Sequence, residues 1–460
     1  MNPNIFREYD IRGVVERDLP PETVRTLGRA FGSLAASRGA RTCALGRDCR
    51  LSSPRLAAEF AEGLVVAGLE VLDGGQIPTP LLYFAVRHLR ADAGAMITGS
   101  HNPPEYNGFK VQIGTDSLYG PGIQELRARI ERGEFVSGSG SRREVDVVGP
   151  YIEYVSANIR PARRGLRVVV DAGNGVAGPV AIPLMRALGW SPIELYCEPD
   201  GSFPNHHPDP TALENLEDLI ARVKAEQADL GVAYDGDGDR LGAVDEAGRV
   251  VYGDKLLLLL ARQVLREQPG AAVIGEVKCS QTLFDDVRKR GGRPILWRTG
   301  HSLIKAKMKE EGAVLAGEMS GHLFFAHRYL GYDDAIYASL RLLEVVAEAR
   351  GPFSSLLADV PRTVTTPEIR VDCPDETKFE VVRRVQQAYR SRPGVRLVDI
   401  DGARVHFPSG WGLVRASNTQ PVLVLRFEAD TERNLQAIRD DVERTIARAK
   451  REEPPAGACV

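Results

Sequence analysis

Two rhythms of apolar and polar positions alternate along most of this chain. Short apolar runs rich in Val, Ile, Leu and Ala read as buried strands. Between them lie longer stretches in which apolar side chains recur at helical spacing. Their regular succession predicts an α/β protein with helices packed on its sheets. Helix over 21–37 leads to strand over 42–45, helix over 54–67 to strand over 70–73, and helix over 80–89 to strand over 93–97. The Ser/Gly tract Val136-Ser137-Gly138-Ser139-Gly140-Ser141 is expected to end this first unit. A second unit runs from strand 167–170 to strands 230–234 and 241–245. A third begins with helix 256–265 and strand 272–275 and ends near Arg350-Gly351-Pro352. The remainder differs, with strands over 365–371, 396–400, 412–416 and 422–429 and helices over 378–389 and 432–450. It reads as a smaller α+β domain. The expected domains are 1–149, 150–249, 250–365 and 366–460, without a strong internal sequence repeat.

Composition narrows the function. The 460 residues are 43% hydrophobic and 26% charged, ordinary for a globular protein of several domains. A net charge of −3 with mixed signs offers no field for nucleic acid or an acidic membrane. The first residues hold no apolar signal core, and the most apolar run, 256–261, is too short to span a bilayer. A cytoplasmic location is therefore expected, and a monomer. Cys43, Cys49, Cys197, Cys279, Cys373 and Cys459 form no CxxC pair, so reduced thiols are expected rather than a disulfide framework or zinc site.

The densest chemistry lies in Ala233-Tyr234-Asp235-Gly236-Asp237-Gly238-Asp239-Arg240. Asp235, Asp237 and Asp239 alternate with glycines after an apolar run, so the backbone can curl until three carboxylates converge. Such a cluster calls for a cation, and hard oxygen donors suit Mg²⁺ or Ca²⁺. An EF-hand is excluded although Asp235, Asp237, Asp239 and Glu246 fall at its ligand positions. Its obligatory turn glycine is replaced by Arg240, and the flanks read as strands. A Mg²⁺ site with positions left for a phosphate is the better match.

Three further loops carry reactive groups. Thr98-Gly99-Ser100-His101-Asn102-Pro103 follows a strand and exposes a serine; Lys110 follows closely enough to face the same pocket. Adjacent residues on a turn rarely face each other, and no nucleophile elbow is present, so Ser100 and His101 do not read as a hydrolase pair. In Gly317-Glu318-Met319-Ser320-Gly321-His322, extended backbone would direct Glu318 and Ser320 to one side, a pattern suited to vicinal sugar hydroxyls. His322 beside them is a candidate for proton transfer. Arg415-Ala416-Ser417-Asn418-Thr419 supplies donors for a dianion. Gly173-Asn174-Gly175-Val176-Ala177-Gly178 matches a dinucleotide fingerprint, with Glu198 downstream. Close strand–helix packing accounts for those glycines better than nicotinamide binding does.

These four loops, in this order, together with Phe6-Arg7-Glu8-Tyr9-Asp10-Ile11-Arg12-Gly13, resemble the α-D-phosphohexomutases, most closely their bacterial phosphomannomutase/phosphoglucomutase branch. The resemblance spans essentially the whole chain. It implies four domains around a central cleft, three of them similar α/β domains. It also implies reversible phosphoryl transfer between the 1- and 6-positions of mannose or glucose phosphates through a hexose 1,6-bisphosphate. Ser100 would be the phosphoserine. Mg²⁺ would be bound by Asp235, Asp237, Asp239 and a phosphoryl oxygen on Ser100, with glucose 1,6-bisphosphate as activator. Arg12, Lys110 and Arg240 would stabilise the transferred group, with His301 and His322 beside them. Glu318 and Ser320 would read ring hydroxyls, while Arg415, Ser417, Asn418 and Thr419, assisted by Tyr9 and Lys278, would hold the other phosphate. Met319 fits the mannose/glucose enzymes. Phosphoglucosamine mutase and, from another class, a phosphosugar phosphatase are the competing expectations. A non-catalytic sensor would be expected to have lost Ser100 or an aspartate of the acidic loop.

Overall fold

Residues 1–418 and 420–451 are described by the computed structural model, and they divide into two units. The larger comprises Met1–Ile274, Asp285–Ile295 and Gly300–Ala358; the smaller comprises Gly275–Phe284, Leu296–Thr299 and the described residues from Asp359 onward. Helices begin where the sequence fixes φ in advance. Pro lies in the first turn of Pro21–Ser37, Ser53–Val66 and Thr79–His88, where a missing N–H costs nothing. Pro121–Arg132 and His301–Glu311 end on Gly133 and Gly312 in the left-handed region, which closes their last turns without a Cβ clash.

The first sheet has the order Ile11–Val14, Tyr106–Ile113, Ala93–Ile97, Thr42–Arg47, Glu70–Gln76, Ser141–Glu144, with Asp116–Ser117 on Tyr106–Ile113. Its last four strands run parallel; Tyr106–Ile113 is antiparallel to both its neighbours. Phe60 stacks between Phe31 and Phe109 in the core beneath it, at ring separations of 6.2 and 5.0 Å. Helices Pro21–Ser37 and Ser53–Val66 approach so closely that a Cβ on Gly28 would lie 2.2 Å from the Phe60 carbonyl. The second sheet orders Val250–Val251, Leu241–Asp245, Leu230–Tyr234, Arg167–Asp171 and Ser191–Leu195. The third orders Arg293–Trp297, Ala272–Glu276, Leu315–Gly317, Leu323–Phe325 and Tyr332–Asp333.

The smaller unit holds an antiparallel sheet ordered Val364–Thr365, Val422–Ala429, Gly410–Ala416, Ala403–Phe407, Arg396–Val398, with Ile369–Asp372 also on Val422–Ala429. Helices Asp375–Arg390 and Glu432–Arg451 bury Val385, Tyr389, Val442 and Ile446 against one face. On its other face Trp411 and Leu413 meet Val277, while the fully buried Arg404 donates to the carbonyls of Val277 and Cys279.

One topological device recurs in all four sheets. Each chemistry-bearing loop joins two antiparallel neighbours: Ala93–Ile97 to Tyr106–Ile113, Leu230–Tyr234 to Leu241–Asp245, Leu315–Gly317 to Leu323–Phe325, and Gly410–Ala416 to Val422–Ala429. A hairpin clamps both ends of its loop by ladder hydrogen bonds, so the side chains at its tip are held.

Three sequence expectations are corrected. The Ser/Gly tract does not end the first sheet, because the chain returns as Ser141–Glu144 parallel to Glu70–Gln76. The strand expected over 365–371 is two strands, Val364–Thr365 and Ile369–Asp372, interrupted around Pro367. Ala403–Phe407 was not expected as a strand, since its Arg404 and His406 break the apolar run; the buried Arg404 is satisfied by backbone carbonyls instead of water. Cys43, Cys49, Cys197, Cys279 and Cys373 are free thiols, whereas Cys459 lies outside the described residues. No helix among the described residues is long and apolar enough to cross a membrane.

Candidate active site

Ser100 stands at a strained point, with φ of 50°. Its loop is wrapped around the buried guanidinium of Arg50, which donates to the carbonyls of Ser100, Asn102, Pro103 and Tyr106. Asp48 accepts from Gly99 N, at 3.0 Å, and pairs with Arg50. The turn thus satisfies its polar groups internally, and the strain is borne by a buried network. Neither Asp48 nor Arg50 was singled out from sequence. Both lie in a polar stretch after a strand, with nothing local to show that they serve a loop fifty residues on.

The left-handed backbone at Ser100 also turns its hydroxyl toward His101, whose Nδ1 is 3.1 Å away, correcting the expectation that these neighbours point apart. Burial, with Arg240 and Arg12 nearby, holds His101 well below the ordinary imidazole range, so it is neutral near pH 7. The hydroxyl itself donates to Asp235 Oδ2 at 2.8 Å.

Asp235, Asp237 and Asp239 are fully buried and converge, with one oxygen of each within 4.8 Å of the others. Asp235 Oδ1 accepts from the amides of Asp239 and Arg240, at 3.0 and 3.1 Å, which curls the loop on itself. Gly236 has no room for a side chain, since a Cβ would lie 2.6 Å from the Ser100 carbonyl. Lys110 reaches in from Tyr106–Ile113 and places Nζ 2.7 Å from Asp237 Oδ2 and 2.6 Å from Asp239 Oδ2. Thr79, missed in the sequence, donates to Asp237 Oδ2 at 2.6 Å. Burial and the two neighbouring carboxylates push Asp235 well above the ordinary carboxylate range. Asp237 is held below that range against its burial by Lys110. Burial alone would lower Lys110, but Asp237 and Asp239 overcome it and hold the ammonium well above its ordinary value.

Asp237 Oδ1 and Asp239 Oδ1 are buried without a hydrogen-bond partner. Unpaired anionic oxygens in a dry cluster are costly unless a cation meets them, so this donor set fits a hard divalent ion. The fingerprint glycines of the second unit serve packing, as expected. A Cβ on Gly175 would lie 2.7 Å from the Gly236 carbonyl, and one on Gly178 would lie 2.2 Å from that of Cys197.

The third loop is laced to the acidic one. Arg240 and His322 form an antiparallel bridge, and Leu241 N donates to the Gly321 carbonyl at 3.0 Å. Glu318 and Ser320 do meet, Ser320 Oγ donating to Glu318 Oε2 at 3.1 Å, but across a turn closed by Gly321 N on the Glu318 carbonyl rather than by strand alternation. Glu318 Oε1 accepts from Gly300 N at 2.6 Å. Arg240 donates through Nε to His322 Nε2 at 3.1 Å. His301, stacked on His322 at 5.8 Å, is held well below the usual imidazole range by burial and by Lys305. Tyr9 packs edge-on against His301, and Arg12 pairs with Asp10.

The structure therefore brings Tyr9, Arg12, Ser100, Lys110, Asp235, Asp237, Asp239, Arg240, His301, Glu318, Ser320 and His322 into the larger unit. Within the smaller unit, Lys278 pairs with Glu368 at 3.2 Å and Arg415 with Asp401 at 3.2 Å. Lys278 and then burial act on Glu368 in opposite directions, and the lysine prevails, bringing the carboxyl down to about 2. Ser417 Oγ accepts from Gln420 N at 3.2 Å and Asn418 lies at the same hairpin tip, whereas Thr419 lies outside the described residues.

Comparison with known proteins agrees with this geometry. Family profiles for phosphoglucomutase/phosphomannomutase match in succession: alpha/beta/alpha domain I over 3–137, domain II over 149–248, domain III over 252–364 and the C-terminal domain over 368–445. A phosphomannomutase/phosphoglucomutase of Pseudomonas aeruginosa is 51% identical, covering 95% of this chain and 94% of the relative. A phosphoglucomutase of Neisseria gonorrhoeae is 45% identical over 95% of each chain. The crystal structure of a phosphoglucomutase/phosphomannomutase family protein from Burkholderia thailandensis superposes with a TM-score of 0.93, at 46% identity and 99% coverage of both chains. With matches that follow one another along nearly its whole length, the chain belongs to the phosphoglucomutase/phosphomannomutase family, the α-D-phosphohexomutases.

Proposed function

We propose that this protein is a hexose-phosphate mutase that moves a phosphoryl group reversibly between O1 and O6 of mannose and glucose phosphates, with Ser100 as the carrier. One observation supports the mechanism above the others. A serine hydroxyl sits 2.8 Å from a buried carboxylate triad that also holds an ammonium and is faced by the charge of the Arg240 guanidinium. In the first half-reaction the Oγ–P bond of phosphorylated Ser100 breaks and an O–P bond forms to the free hydroxyl of a hexose 1- or 6-phosphate. The hydroxyl proton passes to a base of the site, where His301 is held neutral and His322 lies beside it. The resulting 1,6-bisphosphate turns over, and its other phosphoryl group returns to Ser100 Oγ.

The chain's own groups do most of this by position and charge. Lys110 and Arg240 flank the carboxylates at the point where negative charge collects. The Arg50 cradle fixes Ser100, and Arg12 adds a further cation near His101. Asp235, Asp237 and Asp239 would hold Mg²⁺, which when bound neutralises phosphoryl oxygens. Glu318 and Ser320 would take ring hydroxyls, with Tyr9 beside His301. Arg415, Ser417 and Asn418, together with Thr419 and Lys278, would hold the phosphate that does not react. Glucose 1,6-bisphosphate would restore the phosphoryl group to enzyme that has lost it.

Coupled assays with mannose 1-phosphate, glucose 1-phosphate and glucosamine 1-phosphate, each with Mg²⁺ and catalytic glucose 1,6-bisphosphate, test the proposal. Turnover of the first two is expected. Turnover of glucosamine 1-phosphate alone would assign a different sugar, and release of inorganic phosphate without isomerisation would make the protein a phosphatase.

A further inference from the structure

Behind His322 lies a carboxylate that none of the four loops contains. Asp333 belongs to the edge strand Tyr332–Asp333 of the third sheet and is fully buried. Its Oδ2 is 3.1 Å from His322 Nδ1 and 4.0 Å from His301 Nδ1, and its Oδ1 is 3.4 Å from Lys305 Nζ. Lys305, buried on the helix His301–Glu311, also lies 4.0 Å above the Tyr83 ring. An ionised carboxylate with no water at hand persists only beside cations or proton donors. Asp333 has Lys305 on one oxygen and two imidazoles on the other.

The opposite nitrogen of His322 fixes which tautomer this is. Arg240 Nε–H points at His322 Nε2 at 3.1 Å, and a guanidinium can only donate. Nε2 must therefore present a lone pair, and the ring proton lies on Nδ1, 3.1 Å from Asp333 Oδ2 and 3.5 Å from Asp239 Oδ1, close enough for charge attraction although neither oxygen is aligned as a hydrogen-bond acceptor. Of the two carboxylates Asp333 is the nearer, and Asp239 already shares its charge with Lys110 through its other oxygen. The hydrogen bond on one imidazole nitrogen decides the state of the other.

We propose that Asp333 is a positioning residue: it holds His322 as the Nδ1–H tautomer, leaving the Nε2 lone pair to aim the Arg240 guanidinium at the acidic loop, with Lys305 as its counter-charge. A carboxylate–imidazole–guanidinium chain then runs from the edge of the third sheet to the loop of the second. Only the kinetic part of this inference rests on the mutase reading; the tautomer does not.

The test is nuclear magnetic resonance of the full-length protein labelled with ¹⁵N-histidine, correlating ring nitrogens with ring protons. The His322 signals are identified by their loss in His322→Gln. In the wild type, Nδ1 should show the shift of a protonated nitrogen and Nε2 that of an unprotonated one. In Asp333→Asn the side-chain amide can donate to Nδ1, so the ring should move toward the Nε2–H form, which sets two donors against each other at Arg240. There kcat should fall about 10–100-fold, the scale for losing the partner that orients a functional histidine. KM should stay within roughly threefold, because no substrate contact is removed. A wild-type His322 protonated on Nε2 overturns the proposal whether or not the variant folds, as does an Asp333→Asn protein with unchanged tautomer and kcat. Wild-type enzyme inactive on every hexose phosphate but with the Nδ1–H tautomer would refute the mutase reading and leave the positioning chain standing.

Discussion

Replacing Lys110 with Met should turn the acidic loop into a site that needs its metal to stay folded. The substitution keeps most of the apolar stem and removes one buried ammonium lying 2.7 Å from Asp237 and 2.6 Å from Asp239. At an effective dielectric constant near 20 each contact carries about 6 kcal/mol of gross attraction. Desolvation offsets most of that, and breaking a buried pair from one side costs about 3–5 kcal/mol net. The upper end applies here because two carboxylates lose their partner together, next to a third. In a unit larger than about 250 residues, where 1 kcal/mol shifts Tm by no more than about 2 °C, a loss of about 5 kcal/mol lowers Tm by roughly 10 °C. A divalent ion binding only the folded state should restore much of the loss. Thermal unfolding of wild type and Lys110→Met, each in chelator and in excess Mg²⁺, reads both effects. The expected result is a lower Tm in chelator and a larger Mg²⁺-induced rise for the variant, with mutase activity still low in Mg²⁺. Equal Mg²⁺ shifts in the two proteins, or a chelator Tm within about 2 °C of wild type, would refute the reasoning.

Other expectations follow from the same geometry. Ser100→Ala removes the proposed phosphoryl carrier and little contact area, so turnover should drop by several orders of magnitude with substrate binding largely kept; intact mass should show a phosphate on the native protein that the variant lacks. Arg415→Ala removes a charge proposed to hold the non-reacting phosphate in ground and transition states alike. KM should rise more than kcat falls, and steady-state kinetics with a bisphosphate titration should show steeper dependence on added glucose 1,6-bisphosphate. Asp334 is pushed up by burial from 3.8 to about 6, a shift worth about 3 kcal/mol. Its raised value means the folded state binds more protons than the unfolded one between those pH values, so stability is lost as pH rises through that window and stays lost above it. Asn at this position stays neutral and keeps an acceptor for Tyr337 N, so Asp334→Asn should gain Tm relative to wild type on going from pH 5 to pH 8. No relative gain would mean that Asp334 is not held protonated.

By itself the sequence determined the local elements and the kind of chemistry. Helical and strand periods are set within a few residues, so Pro21–Ser37, Ala93–Ile97, Leu230–Tyr234 and Val422–Ala429 were legible to the residue, as was the α/β class. Alternating Asp and Gly announced a cation-hungry loop because ligand type and glycine freedom are local properties. Where the pattern broke, at Arg404 and His406, a strand was missed, since only its neighbours show how a buried guanidinium is satisfied. Tertiary structure alone decided which loops meet. Arg50 under Ser100, Thr79 on Asp237, and Asp333 behind His322 come from elements 50, 158 and 11 positions away along the chain, and no period links them. The four hairpins likewise share a topology without sharing a sequence. Strand order is fixed by long-range burial and hydrogen bonding, which many sequences satisfy, whereas the charges that meet at the hairpin tips of the larger unit depend on which of its hairpins the fold sets side by side.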